Sequence, residues 1–551
     1  MYKHFLSLLL FFSLTPIFGQ STYLPLDADK YHQIERYEIK NGSFNDEFHT
    51  SVKPYLRKDI IRFLEDSSHT SLSKRDSFNI QYFKNENSEW TTDSTAYSNS
   101  KRPIFRHFYR NKADFFHVKE DNFDLHINPV LYFGGGREKS GRDLFINSRG
   151  VELRGMIDNK VGFYSFITDN QYLFPDYTNT RVKKYKAVPG ANFWKPFKKG
   201  GYDFFTARGY VTFNFTKHIS TQFGHDKNII GDGYRSLILS DYAGANPFWK
   251  LNLKIWRLNY QVIYNFMNTG QYLGATQKTQ YEKKYNVFHH LSFNVSKHFN
   301  VGAFETVTYG DGFEMSYLNP IIFYRSVEGN VGSSNGNAIL GTNFKWNFLR
   351  HFSIYGQAIL DEFKISEIKD NKGWWANKYG LQLGAKYIDA FGIKNLDIQG
   401  EYNTVRPYTY SHSESRTSYS HFGQMLAHPL GSNFKEVIGI VRYQPTKRLH
   451  LSAKGIYAIY GLDSLKSNWG QNILLPYTSR KQEYGNKTGQ GLATKMYYID
   501  FNISYMLRHN LFLDVKQVFR KEESDLPTLT NNTYNVMAGI RWNMTARTHE
   551  Y

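Results

Sequence analysis

The stretch FNFTKHISTQFG at 213–224 places an alternating strand, a basic dipeptide at a tight turn and a second alternating strand in twelve residues. The same unit returns as FNVSKHFNVGAF at 293–304, KWNFLRHFSIYG at 345–356, RYQPTKRLHLSA at 442–453 and ISYMLRHNLFLD at 503–514. Its dipeptides are Lys217-His218, Lys297-His298, Arg350-His351, Lys447-Arg448 and Arg508-His509. Apolar side chains recur at every second position, as in Val211, Phe213, Phe215 and Leu291, Phe293, Val295. That period belongs to half-buried strands, not helices. Hairpins with very short turns on one side and long loops on the other are the mark of an outer-membrane β-barrel.

Working outward from these hairpins, further short turns fall at Asp158-Asn159, Trp256-Arg257 and Phe391-Gly392. Long segments separate them, at about 134–142, 170–202, 227–248, 268–283, 309–336, 365–375, 404–432, 461–493 and 520–532. Eight short turns and nine long loops join roughly 18 antiparallel strands, an even number, as bacterial barrels usually require. The barrel begins near Asp124 and spans 124–551, and YNVMAGIRW at 534–542 has the pattern of a closing strand. Both ends of the barrel then lie in the periplasm and the long loops face outward. The apolar run LNPIIFYRS at 318–326 would break this parity as a strand. It is expected in the fifth outer loop, folded inward as a constriction or plug.

Residues 1–19 read as a signal peptide, with a short polar head at Lys3-His4, an apolar core at 5–12 and a small residue before the expected cut after Gly19. No later stretch approaches the roughly 18 consecutive apolar residues of a helical span. Residues 20–123 lack the barrel pattern and form a helical or irregular periplasmic domain. Helical spacing covers 27–40 and 52–65, with Asp27 and Ser51 as expected caps.

The 551 residues include 42 Tyr, 44 Phe and 9 Trp but no cysteine. Mean hydropathy is nonetheless only −0.55. Many large rings in a polar chain fit strands with one face in lipid and one in water, and Tyr and Trp at the two interfaces. Without cysteine there is neither a disulfide nor a lipid anchor. A net charge of +19 suits lumen and loops that attract lipopolysaccharide phosphates, or a surface that attracts an acidic polymer. Nucleic acid is excluded as a partner for a secreted chain without a recognition motif.

NIIGDGYRSLILSD at 228–241 resembles the GDGxRSLxLS stretch of the Wzi capsule-assembly family. LNPIIFYRSVE at 318–328 and the strand end Gln357-Ala358-Ile359-Leu360-Asp361-Glu362 are similar to that family as well, with weaker echoes at 401–412 and 428–436. The resemblance implies an 18-stranded outer-membrane barrel with a periplasmic helical bundle. It implies a lectin that holds capsular or exopolysaccharide at the cell surface; lipopolysaccharide and outer-membrane lipid are further expected partners, and polysaccharide-export or motility proteins stay open. This chain is richer in Tyr and Lys than the enterobacterial members, and its loops differ, so sugar specificity does not carry over. RemB-like gliding-motility proteins share the size and layout and leave a motility partner open. A diffusion porin is the third reading.

Candidate binding residues follow from chemistry. Asp232 and Arg235 in the GDGYRS loop, and Arg325 and Glu328 after the IIFY run, could bind sugar hydroxyls or a uronate, since Arg suits bidentate carboxylate recognition. They could equally form ion pairs that lock a plug. Trp374, Tyr408, Tyr410 and Trp469 lie in outer loops and offer rings on which sugar faces stack, as do Trp375 and Phe248-Trp249. Trp375 and Trp249 adjoin strand starts and read rather as interface aromatics. Asp361-Glu362 is weak evidence for calcium. The turn histidines, His289-His290, His421 and His428 lack a metal-binding spacing, so no metal or cofactor is expected. The chain carries no GxSxG elbow and is not read as an enzyme.

Overall fold

The computed structural model describes residues 20–66, 72–273, 280–310, 312–331, 336–464 and 467–551. The signal-peptide reading lies outside them. Eighteen antiparallel strands close into a barrel. They are β1 (Phe123–Glu138), β2 (Asp143–Ile157), β3 (Val161–Leu173), β4 (Gly201–Asn214), β5 (Ile219–Asp226) and β6 (Asn246–Ile255). Next come β7 (Leu258–Leu273), β8 (Gln280–Asn294), β9 (Phe299–Tyr309), β10 (Asn337–Phe348), β11 (Phe352–Glu362) and β12 (Lys378–Tyr387). The wall finishes with β13 (Leu396–Val405), β14 (Phe434–Tyr443), β15 (Leu449–Leu462), β16 (Leu492–Arg508), β17 (Leu511–Ser524) and β18 (Asn531–Trp542). All the expected short turns lie at one end, the short-turn end, and the long loops at the other. The seam pairs Asn535 with Glu138 through Trp542 with Leu131. Below it the short strand Phe116–Glu120 pairs with β1 from Phe123 to Ile127 and completes the rim.

Each strand sorts its side chains by parity. On β16, Tyr497, Ile499, Phe501, Ile503, Tyr505 and Leu507 are exposed while Met496, Tyr498, Asp500 and Ser504 between them are buried. A continuous outward apolar row with an inward polar row is what a wall between lipid and a filled lumen demands. The turn histidines also have a structural use. His218 Nδ1 lies 2.9 Å from Lys254 O, and His351 Nδ1 2.8 Å from Ile388 O. Each ring bonds a carbonyl of the next hairpin.

Three pieces of chain fill the lumen. Residues 20–115 enter at the short-turn end with helices α1 (Ala28–Asn41), α2 (Arg57–Glu65) and α3 (Lys74–Glu86). Asp27 caps α1 through the Asp29 and Lys30 amides, and Gly42 at φ 71° ends it in the left-handed conformation. α2 starts after Leu56, not Ser51, because Val52 and Lys53 form a two-residue strand against Ile230 and Ile229. α3 lies beyond the two stretches in which helical spacing was read. Its capping box is Ser73 with Asp76. A small core of Leu24, Ile34, Tyr37, Tyr55, Ile60 and Phe83 joins the helices. Ion pairs join them to the wall: Lys345 to Glu38 at 2.7 Å, Arg36 to Asp397 at 3.2 Å, and Lys386 to Glu35.

The second piece is loop 227–245, which folds inward from the long-loop end, and Gly231 N–H donates to Ser51 O at 2.8 Å. The third is the tail 543–551, which turns back up from the end of β18. The Asn543 amide donates to Pro129 O at 2.8 Å, and further up Tyr177 OH donates to His549 O at 2.7 Å. Above them, loop 174–200 with helix α4 (Asp176–Tyr185), loop 227–245 and loop 406–433 are stitched into a cap. Tyr410 OH donates to Leu237 O at 2.7 Å, Tyr419 OH to Ile238 O at 2.9 Å, and Arg181 to Tyr242 OH and Pro429 O.

The run at 318–326 corrects the sequence reading. It does not enter the lumen. On β8 the even residues Asn286, Phe288, His290 and Ser292 face inward, and Leu291, on the odd face, is exposed. Val287 shares that outward face yet is buried, because loop 310–336 lies over it. Tyr317, Tyr324 and Val327 pack on Val262, Tyr264, Val287 and Val307 of β7–β9 from outside. The reason is polar. His289 and Glu305 occupy outward positions and pair at 2.9 Å, and an ion pair bare to lipid is costly. The strap covers it: the Tyr324 and Arg325 amides donate to Glu305, each at 2.9 Å. Ile321 and Met315 turn outward, 85% and 73% exposed.

Candidate functional site: an aromatic and basic rim on the long loops

Loops 363–377 and 463–491 are zipped together at the long-loop end. Gly485 N–H donates to Lys372 O at 2.8 Å, Asn486 N–H to Gly373 O at 2.9 Å and Trp375 N–H to Glu483 O at 2.9 Å. Gly373 has φ 67°, and a Cβ there would meet Asn486 N at 2.8 Å, so both conformation and space require glycine. Arg406 braces the junction from below, donating from Nε to Asn377 O at 2.8 Å and from Nη2 to Asn486 O at 3.3 Å.

On this scaffold stands a cluster of rings. Trp374 and Trp375 meet edge-on at 6.2 Å, and Tyr477 lies 4.8 Å from Trp375. The Arg480 guanidinium stacks 4.2 Å over Trp375, and Lys364 Nζ lies 5.9 Å from the Trp374 ring. Trp374, Trp375, Tyr477 and Arg480 are half-buried; Tyr484, Lys481 and Lys487 are exposed. Half-buried rings held rigidly beside cations are suited to contacting a sugar ring and attracting a carboxylate.

The sequence candidates separate into three places. Trp374 belongs to the rim. Trp469 is a half-buried strut beneath it: its N–H donates to Asp463 Oδ1 at 2.5 Å, and a Cβ on Gly491 would meet its ring at 2.8 Å. Tyr408 and Tyr410 are not surface rings but are fully buried, Tyr408 as the floor under Trp375 with its OH donating to Asn468 O at 2.9 Å. Phe248 is likewise buried in the lumen, and Trp249 faces outward beneath the strap. Arg325 is exposed on the outer strap, far from the rim; the Glu328 side chain lies outside the described residues. Trp375, read from sequence as an interface ring, stands at the centre of the cluster. Arg480 and Tyr477 were not singled out; their signal is an aromatic and a cation three apart in a long polar loop.

Asp232 and Arg235 lie deep in the lumen. Asp232 accepts from Thr50 at 2.7 Å and faces Lys345 at 3.7 Å. Arg235 pairs with Glu550 at 2.5 Å and Glu436 at 3.4 Å. Burial alone would raise the Glu550 pKa, but Arg235 and Lys454 outweigh it and hold that carboxyl well below the usual range. A cavity of about 470 Å³ beside them is lined by Arg235, Lys454, Asp500, Lys516, Arg547 and His549. Its volume is that of a small-molecule pocket and is too small for a long polymer. The Asp361-Glu362 pair already holds a cation: Lys378 Nζ is 2.9 Å from Asp361 and 3.3 Å from Glu362. Burial, with Lys378 nearby, lowers the His412 pKa to about 4 and keeps this loop imidazole neutral.

No family model matches this sequence, and no curated protein matches it. Solved structures do. Wzi of Escherichia coli, an outer-membrane protein involved in group 1 capsule assembly and a carbohydrate-binding β-barrel, superposes with a TM-score of 0.58 at 13% identity. The match covers 95% of this chain and 100% of Wzi. OprD of Pseudomonas aeruginosa matches at TM-score 0.42 and 11% identity over 75% of this chain and 94% of its own. OccAB2 of Acinetobacter baumannii matches at 0.43 and 10% over 77% and 98%. The likeness to Wzi is one of fold: a closed, 18-stranded outer-membrane type of barrel.

Proposed function

We propose that this protein is an outer-membrane lectin that anchors acidic capsular or exopolysaccharide at the cell surface, its short-turn end and helical domain in the periplasm and its long loops outside. One observation carries the reading. The lumen is filled from both ends, while the exposed loop surface carries the Trp374–Trp375–Tyr477 ring cluster with Arg480 stacked on it. A closed barrel has its working surface on the loops, and this one has the groups that grip sugars. The plug argues against a porin, which needs an open lumen. The net charge of +19 favours an acidic glycan. The carbohydrate binding of Wzi, which has the same architecture, supports the same assignment. Asp232 and Arg235 serve this function at one remove, by locking the inward loop that supports the cap.

The experiment is retention of the organism's own surface polysaccharide by immobilised protein in detergent. Acidic polymer should be retained, and a neutral polymer of similar length much less. If no polysaccharide is retained by folded protein, the lectin reading fails and a protein partner on the same rim replaces it. Orientation is checked separately: a tag at Tyr484 should be reached by antibody on intact cells, and one between Lys447 and Arg448 should not.

A further inference from the structure

We propose that the hairpin at the seam carries a divalent transition-metal site, with zinc its best-matched ion, formed by His117, His126, Asp114 and Asp124. The register sets His117 directly opposite His126 and puts Asp124 two residues before it on the same inward face. The two imidazoles stack with centroids 4.0 Å apart. Asp114 arrives from the segment preceding the hairpin. One donor atom from each of Asp114, His117 and His126 falls within 4.8 Å of the others. Tetrahedral zinc ligands at about 2.0–2.1 Å from the ion stand about 3.4 Å apart, so rotation of the side chains by roughly an ångström closes the set.

Two further observations point to a cation. First, donors crowd together, and two of their atoms are left without a hydrogen bond. His126 Nε2 is 2.6 Å from Asp124 Oδ1, and Nδ1 is 3.0 Å from Asp114 Oδ2. Yet His126 Nε2 and Asp124 Oδ1 make no hydrogen bond, although His126 is fully buried and Asp124 5% exposed. Second, the charges do not balance. The buried carboxylates of Glu89, Asp114 and Asp124 face the single guanidinium of Arg154, an excess of two negative charges while both imidazoles are neutral, as metal ligation requires. Burying such an excess is costly, and one divalent ion cancels it. Two imidazoles with carboxylates select zinc or a neighbouring first-row ion over calcium, which takes oxygen ligands. Outer bonds already orient the set: Asn111 and Asn128 donate to the two oxygens of Asp114 at 3.1 and 3.0 Å. The ion would clamp the end of the helical domain to the barrel seam. Sequence spacing hides this site because its ligands meet across strands.

The test uses full-length folded protein, stripped with EDTA, equilibrated with zinc, passed through a desalting column and assayed for bound metal. One zinc per chain is expected, and cobalt in its place should give visible absorption. His117→Ala with His126→Ala should lose the tight equivalent, and Asp114→Asn should weaken it at least tenfold. Heat-modifiable migration on gels verifies that each variant remains a folded barrel; His117→Ala alone, at the half-buried position, serves if the double variant does not fold. Wild-type protein that keeps less than a tenth of an equivalent, or folded variants that keep as much as wild type, would overturn the site. In the first case, protonated histidines balance the carboxylates.

Discussion

Arg235 and Glu550 meet at 2.5 Å inside the barrel, the first on a loop folded down from the long-loop end and the second on a tail turned up from the short-turn end. Each segment has its own anchor, the loop at Gly231 N–H to Ser51 O and the tail at the Asn543 amide to Pro129 O. Their ion pair, extended by Lys454 to Glu550 at 2.6 Å and to Asp500 at 3.0 Å, ties both to the β15–β16 wall. Buried pairs add little over a good apolar core, but removing one partner strands the other charge and costs about 3–5 kcal/mol. Glu550→Ala is therefore expected to destabilise the protein by about that amount in denaturant unfolding. Arg235→Ala combined with Glu550→Ala should cost clearly less than the sum of the two single changes. Additive losses would mean the pair is not a unit.

The strap makes the opposite claim about the pore. Because 318–326 lies outside the wall, replacing 312–327 by a short Gly-Ser linker should leave conductance in planar bilayers as low as in wild type. The chain has no cysteine, so Ile321→Cys is a clean probe. It should react with a lipid-soluble maleimide and be protected from a charged aqueous one. Stable channels after the deletion, or ready aqueous labelling, would return the strap to the lumen.

This contrast shows how far sequence reasoning reaches. The eighteen strands were legible because hairpin turns and two-residue alternation are local: Lys217-His218 or Arg508-His509 announces its own turn. The filling of the lumen was not, because each inward polar residue finds its partner hundreds of positions away, as Lys345 does in Glu38. The apolar run at 318–326 has no period and so does not say which face of a wall it covers. The deciding signal was elsewhere, in His289 and Glu305 at outward parity positions. Of the candidate site, Trp374 was legible as a loop aromatic, whereas the burial of Tyr408 depends on loop 463–491 closing over it and that of Tyr410 on the inward loop at Leu237. The tail 543–551 carries no strand alternation, and its Arg, His, Glu and Tyr side chains are the only hint in the sequence of a lumen partner.

Asp59, in the first turn of α2, gives the plug a pH dependence. Burial raises its pKa to about 6, with Lys254, Lys58 and Arg62 opposing the shift and Glu47 reinforcing it. The unfolded value is about 3.9. A raised folded pKa contributes stability that is fully present below about pH 4 and is lost as pH rises through about 6. At pH 8 the domain therefore holds an unfavourable buried carboxylate. Asp59→Asn should stabilise the protein at pH 8, by on the order of 1–2 kcal/mol at about 1.4 kcal/mol per pKa unit less relaxation. At pH 4 it should do almost nothing. Melting curves at the two pH values decide it; equal effects at both would exclude titration of Asp59 as the cause.

The rim makes the most direct prediction about function, because its cations and rings act over different ranges. Attraction between an acidic glycan and Arg480, Lys481 and Lys487 is screened as the Debye length falls from about 10 Å at 0.1 M salt to about 3 Å at 1 M. Stacking on Trp374 and Trp375 is not. Retention should thus fall with salt to a resistant remainder. Arg480→Ala should lower affinity and flatten the salt dependence, since a charge-assisted contact is worth roughly 1.5–3 kcal/mol. It also removes the guanidinium stacked 4.2 Å over Trp375, so Arg480→Lys, which keeps charge but not the planar stack, should recover the salt slope and only part of the affinity. Trp375→Ala should lower the resistant remainder and leave the slope alone. Arg235→Ala, deep in the lumen, should change stability and not the salt slope. The measurement is polysaccharide retention by immobilised protein across a salt series, with folding verified by heat-modifiable migration. Should Arg235→Ala flatten the slope while Arg480→Ala and Trp375→Ala bind like wild type, the glycan is gripped inside the barrel and the rim is only its lid.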